Sequence, residues 1–126
     1  MLFRSRRNST RSTETRPTIS EIQLWDVATW QVRSVLTGHT CDGVKSVAFT
    51  ADGETLVSTD GCDVRVWDVR TAKERAVLKD PDHEMDIFAL SPDGKKLATA
   101  CQEFSYQDGT VRIWDMAKLT AQKLNK

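Results

Sequence analysis

The hexapeptide IQLWDV at 22–27 returns as VRVWDV at 64–69 and as VRIWDM at 111–116. Trp25 and Trp67 are 42 residues apart, and Trp67 and Trp114 are 47 apart. A landmark that returns every forty-odd residues constrains the fold more than any composition does. It marks a series of equivalent supersecondary units, each too small to bury its own apolar face and each dependent on its neighbour. The likeness runs well beyond the landmark. SVLTGHTCDGVKSVAFTADGETLVSTDGCDVRVWDV lies over AVLKDPDHEMDIFALSPDGKKLATACQEFSYQDGTVRIWDM.

Within each unit the pattern is that of short strands and tight turns. In VKSVAF at 44–49 the larger apolar residues recur as on a half-buried strand. TADGE and SPDGK are hairpin turns: Asp supports the bend, Gly53 or Gly94 takes the left-handed conformation, and Pro92 presets its own position. Further strands follow at 55–59 and 96–100. In VRVWD, Val64 and Val66 point one way while Arg65 and Trp67 point the other. Both faces of such a strand can be buried if its sheet is sandwiched between neighbours. Asp68 and its counterparts end the strand in a turn. A fourth, more polar strand is expected at 31–36, at 74–78 and at 121–124.

With Gly38-His39, VKSVAF, SPDGKKLATA, DGTVRIWD and the recurring Trp-Asp in place, the chain resembles the WD-repeat family of β-propellers over about 19–124. The resemblance implies an all-β fold of antiparallel four-stranded propeller blades, in an open arc of about two and a half blades. These are a partial blade at 19–36 and blades at 37–79 and 80–124. No strand before Ile19 is apparent to complete the first blade. Residues 1–18, rich in Arg, Ser and Thr and poor in acids, read as a disordered basic arm. That composition is also the one of a transit peptide, although it lacks the apolar stretch of a secretory signal.

The net charge is zero but unevenly placed. Residues 1–16 hold five Arg against one Glu, which is +4, so the remaining 110 residues carry −4. An acidic body does not suit a nucleic-acid platform, which needs clustered Lys and Arg. No apolar run approaches a membrane span. Cys41, Cys62 and Cys101 make an odd number with no CxxC pair, which points neither to a disulfide framework nor to a zinc site. Free thiols in a reducing compartment, and hence the cytoplasm, are the expectation.

His39, Ser58 and Asp60 sit in one repeat and are the parts of a nucleophilic triad. The resemblance implies a different use. WD repeats bury a hydrogen-bonded set of histidine, hydroxyl, Asp and Trp, which here would be His39, Ser58, Asp60 and Trp67. Such a set satisfies polar groups inside a blade, and no oxyanion hole or nucleophile-bearing turn accompanies it. Spacing leaves the acid open, because Asp60 is seven residues before Trp67 and Asp63 is four before. In the last repeat Thr99, Asp108 and Trp114 match, while the histidine does not. His83 is displaced by two residues and is expected to be exposed and outside any such network.

Departures from the pattern are where binding is sought. QEFSYQ at 102–107 lengthens a turn and carries Phe104 and Tyr106, which suit a partner surface. Trp30 stands where such turns often carry Gly. Closed propellers use about four to eight blades of roughly 40 residues each, so the smallest takes about 160 residues. A chain of 126 residues does not close a ring alone. It is a piece of a longer propeller, one of several copies in a ring, or an arc packed on a different protein. The abrupt start at 19 and the lack of a capping element after Leu124 favour the first.

The function expected is therefore a non-catalytic protein–protein interaction scaffold. It uses no cofactor or metal and has protein partners, a ring-completing homo-oligomer among them, rather than nucleic acid or membrane. The competing readings are a truncated repeat product without independent function, and a hydrolase using His39, Ser58 and Asp60.

Overall fold

A computed structural model describes residues 2–8, 19–41, 43–79, 85–100 and 111–121. They form ten strands and one short helix: β1 Leu2–Asn8, β2 Ile19–Asp26, β3 Gln31–His39, β4 Ser46–Phe49, β5 Thr55–Thr59, β6 Asp63–Asp68, β7 Lys73–Lys79, β8 Ile87–Leu90, β9 Lys96–Ala100, β10 Val111–Asp115 and α1 Met116–Ala121. Among the described residues every strand pairs with antiparallel neighbours in chain order, giving sheets β1-β2-β3, β4-β5-β6-β7 and β8-β9-β10, and an isolated bridge joins Gly61 to Met85. This is an open series of meander sheets, a partial propeller. Among the described residues no helix is long and apolar enough to cross a membrane.

The turns between strands are built by side chains. In TADGE the Thr50 hydroxyl donates to Asp52 Oδ1 at 2.6 Å, and the Glu54 N–H donates to the same oxygen at 2.9 Å. SPDGK repeats this, with Ser91 donating to Asp93 at 2.6 Å and the Lys95 N–H at 3.0 Å. Gly53 and Gly94 take φ of 72° and 71°, the left-handed region that a Cβ disfavours.

Register makes the three sheets equivalent. Leu2 pairs with Trp25, Leu56 with Trp67 and Leu97 with Trp114. Because paired residues share a face, each sheet has a Trp-bearing face and an opposite aliphatic face. The aliphatic face of the first sheet, with Ile22, Leu24 and Leu36, packs with Leu56 and Trp67 of the middle sheet. The aliphatic face of the middle sheet, with Val57, Val64, Val66, Ala76 and Leu78, packs with Leu97, Phe88, Leu90 and Trp114 of the third. Each joint thus sets one aliphatic face against the next Trp-bearing face. A fully buried Leu or Val contributes about 1.5–3 kcal/mol, so these two joints carry the core.

Two expectations are corrected. Residues 1–18 are not all an unstructured arm, and the first blade does have a strand ahead of Ile19: Leu2–Asn8 pairs with β2 along its whole length. Leu2 and Phe3 remain 46% and 43% exposed, so backbone hydrogen bonds to the edge of β2 hold this strand more than side-chain burial does. Residues 9–18 lie outside the described residues.

The second correction concerns the last sheet. It has three strands among the described residues, and Met116–Ala121 is helix rather than the approach to a fourth strand. The Ala117 N–H donates to Asp115 Oδ1 at 3.0 Å, an N-cap, and Met116 and Leu119 lie three residues apart on the face buried in the core. Residues 122–124 lie outside the described residues. Among the described residues there is therefore one four-stranded sheet, over blade 37–79, between two three-stranded ones.

Candidate functional site

The end of β3, the ends of β5 and β6 and the turn between them converge on His39. Its ring is 1% exposed, and Ser58 and Asp60 are equally enclosed. Trp67 Nε1–H donates to Ser58 Oγ at 2.8 Å, and Ser58 Oγ lies 2.6 Å from His39 Nε2. On the other side of the ring, Nδ1 lies 3.1 Å from Asp60 Oδ2 and 3.3 Å from Asp63 Oδ1. Two carboxylates at Nδ1 place the ring proton there, which leaves Nε2 to accept from the Ser58 hydroxyl. The result is a directed hydrogen-bond chain, Trp67 to Ser58 to His39, with Asp60 and Asp63 in ion-pair contact at Nδ1. The choice that spacing left open between Asp60 and Asp63 does not arise, since both face the histidine.

Asp60 does more than orient the ring. Its Oδ2 accepts the Cys41 N–H at 3.2 Å, and its Oδ1 accepts the N–H groups of Cys62 at 3.0 Å and Asp63 at 3.1 Å. Burial raises the Asp60 pKa, but the His39 contact and these N–H groups outweigh it and hold the carboxyl well below the usual carboxylate range. Burial lowers the His39 pKa, and the hydrogen bonds and charges of Asp60 and Asp63 more than reverse this, so the imidazole ends above its ordinary 6.5. Asp63 in turn meets Arg65 Nη2 at 3.3 Å, and Arg65 Nη1 is paired with Glu74.

The carboxylate that gathers the Cys41 and Cys62 amides also gathers their side chains. Cys41 and Cys62 form a disulfide, with Cα atoms 6.4 Å apart. This overturns the expectation of free thiols, and with it the ground for a reducing compartment. The two cysteines have no motif spacing; they meet because each follows a member of the His39–Asp60 contact by two residues. Cys101 lies outside the described residues.

Two groups of side chains have metal-ligating atoms within 4.8 Å of one another: Cys41, Asp60 and Cys62, and His39, Asp60 and Asp63. Neither donor set suits a cation. The disulfide has no thiolate to give, and the Asp60 oxygens are engaged by three backbone N–H groups and the imidazole.

The other sheets carry less of the set. In the last one Trp114 Nε1–H donates to Thr99 Oγ1 at 2.9 Å. Asp108 and His83, the remaining residues in question there, lie outside the described residues, as do Phe104 and Tyr106. In the first sheet Arg4 pairs with Gln23, the register position that Ser58 and Thr99 hold opposite Arg65 and Arg112. Trp25 therefore has no hydroxyl at the place where Trp67 and Trp114 find one. Trp30 is 63% exposed at the end of the β2–β3 turn, with φ of 54°, and its N–H donates to the Asp26 carbonyl at 2.7 Å.

The family model described as "WD domain, G-beta repeat" matches residues 30–68 and 74–115. Mouse Coronin-7 is 41% identical over 86 residues, covering 65% of this chain and 8% of its own length. Periodic tryptophan protein 2 of Arabidopsis thaliana is 32% identical over 96 residues, covering 75% of this chain and 10% of its own. Rat telomerase protein component 1 is 31% identical over 94 residues, with 75% and 3% covered. The chain thus spans about a tenth or less of the length of these curated relatives. Three register-equivalent sheets, the Trp–hydroxyl bonds and these matches lead to one assignment: the chain belongs to the WD-repeat family.

Proposed function

We propose that this chain is a non-catalytic protein-interaction scaffold, whose working surfaces are its sheet faces and turns rather than the His39–Ser58–Asp60 set. One observation carries the reading. Ser58 is fully buried, with its oxygen accepting from the Trp67 indole and its hydroxyl donating to His39, so no substrate has a route to it. The set fastens the 39–41 segment to the middle sheet. Membership of a family of interaction modules supports the same reading, and so does the amount of apolar side chain left on the surface, Trp30 and Ile113 above all.

The test is Ser58→Ala. It leaves His39 Nε2 and the Trp67 N–H without a partner and is expected to cost about 1–3 kcal/mol in urea unfolding. Purified wild type is expected to turn over neither ester nor peptide substrates. Turnover that disappears in Ser58→Ala while the circular dichroism spectrum stays native would overturn the scaffold reading.

A further inference from the structure

The third sheet carries the same aliphatic face as the other two, but nothing among the described residues covers it. Val57, Val64 and Val66 of the middle sheet are fully buried. Their register equivalents are Ala98, Val111 and Ile113, since Val57 pairs with Val66 as Ala98 pairs with Ile113, and Thr59 with Val64 as Ala100 with Val111. Val111 is 59% exposed and Ile113 64%. Ile87, paired with Ala100, extends the patch across β8 and is 44% exposed. A continuous three-strand apolar face in water is what a sheet shows when its neighbour is missing.

In the first sheet the complementary face is also uncovered among the described residues. The Trp-bearing face of the first sheet presents Leu2 and Val32, each paired with Trp25, and Val35, paired with Gln23. Leu2, Val32 and Val35 are 46%, 43% and 44% exposed. Both joints inside the molecule set an aliphatic face on a Trp-bearing face. One unused face of each kind remains, at opposite ends of one series.

From this we infer that the occupant of each open face is a second copy of this chain, docked head to tail. The β8–β10 face of one copy packs on the Trp25 face of the other, and the reverse contact closes the ring. Stoichiometry follows from sheet number. Two chains of three sheets make a ring of six, inside the range of about four to eight that propellers close with, whereas three chains would make nine. A heterologous contact that closes by rotation gives a finite ring rather than a fibre. Once the first joint forms the second is intramolecular, so two modest joints hold together as one strong one. The inference rests on the scaffold reading, because it makes blade faces the working surface.

The experiment is light scattering on the full chain over a wide dilution series, with two variants on exposed positions. Wild type is expected at twice its 14.2 kDa chain mass. Ile113→Glu, on the aliphatic face, and Val35→Glu, on the Trp-bearing face, are each expected to be monomeric with native circular dichroism. Mixed, they retain one intact joint between them and are expected to form a 1:1 pair, weaker than the wild-type dimer by at least tenfold in dissociation constant.

A wild type that stays monomeric overturns the proposal, and so does a dimer indifferent to Ile113→Glu. A Val35→Glu chain that still dimerises overturns it too, since that outcome means like faces pair. None of these results touches the scaffold reading, which fails only on catalytic turnover.

Discussion

The middle and last sheets are one pattern in two environments. Both have the Leu–Trp pair in register, the same Asp-braced hairpin turn, and a Trp whose indole N–H donates to a hydroxyl on the neighbouring strand. Val66 is nevertheless fully buried and its equivalent Ile113 is 64% exposed, while Trp67 is 2% exposed and Trp114 only partly covered. The residues themselves hardly differ. What differs on the aliphatic side is that the middle sheet has a sheet against it and the last has none among the described residues. In a repeat fold the energy of a unit resides in its joints, so the same strand is core or surface according to its neighbours.

The sharpest way to test this contrast is to remove the same residue from both places. Trp67→Ala empties an enclosed site at the joint with the first sheet and removes a donor to Ser58. It is expected to cost about 3–5 kcal/mol, near the whole stability of a small domain. Trp114→Ala should cost less, because the indole, at the joint with the middle sheet, is only partly buried. Urea titrations of the two variants give the ratio. Equal losses would mean that the two joints are equally strong despite the fuller burial of Trp67.

A second asymmetry is covalent. The Cys41–Cys62 disulfide closes a loop of 21 residues that spans the junction of the first and middle sheets, and no described equivalent ties the middle sheet to the last. Loop-closure entropy for that length is worth about 3 kcal/mol. Thermal melts with and without a reductant should show the wild type losing stability of that order, and the Cys41→Ser, Cys62→Ser double variant should be indifferent to reductant. A wild type that melts identically in both conditions would mean that the bridge adds no constraint.

How much was legible beforehand follows the same division. Strands marked by alternation and bounded by turn residues, 55–59 and 96–100, appear at the boundaries their side chains suggest, because burial on defined faces writes itself into the residue pattern. Strand β1 does not, since LFRSRRN is held by backbone pairing to β2, and a ladder leaves no side-chain signature. The 116–121 helix was hidden by an expectation of four strands per blade, although Met116 and Leu119 stand at helical spacing behind a capping Asp115. At His39 the residue types were visible, but their count was not. Spacing offered Asp60 or Asp63, whereas a turn folded around Asp60 Oδ1 brings both acids to the imidazole. The disulfide lay beyond any local rule, because its cysteines are neighbours only after the His39–Asp60 contact exists.

That contact also gives the middle sheet a pH dependence for which the last sheet's Trp114–Thr99 pair has no titrating group. His39 titrates above its ordinary 6.5 in the folded chain, so its contribution is fully present below 6.5 and is lost as pH rises through the raised value. Asp60 titrates far below its ordinary 3.8, so its contribution is present above 3.8 and is lost as pH falls toward the depressed value. The pair therefore stabilises the fold most between about pH 4 and 6.5. Melting temperature measured across pH should fall on the alkaline side of that window in the wild type. In His39→Gln, whose amide can still hydrogen-bond but does not titrate, that fall should flatten. This is the smallest of the effects, since only the differential between protonation states is read and the neutral ring still bonds Ser58. A slope that survives unchanged in His39→Gln would place the titrating group elsewhere and leave the buried set a purely packing device.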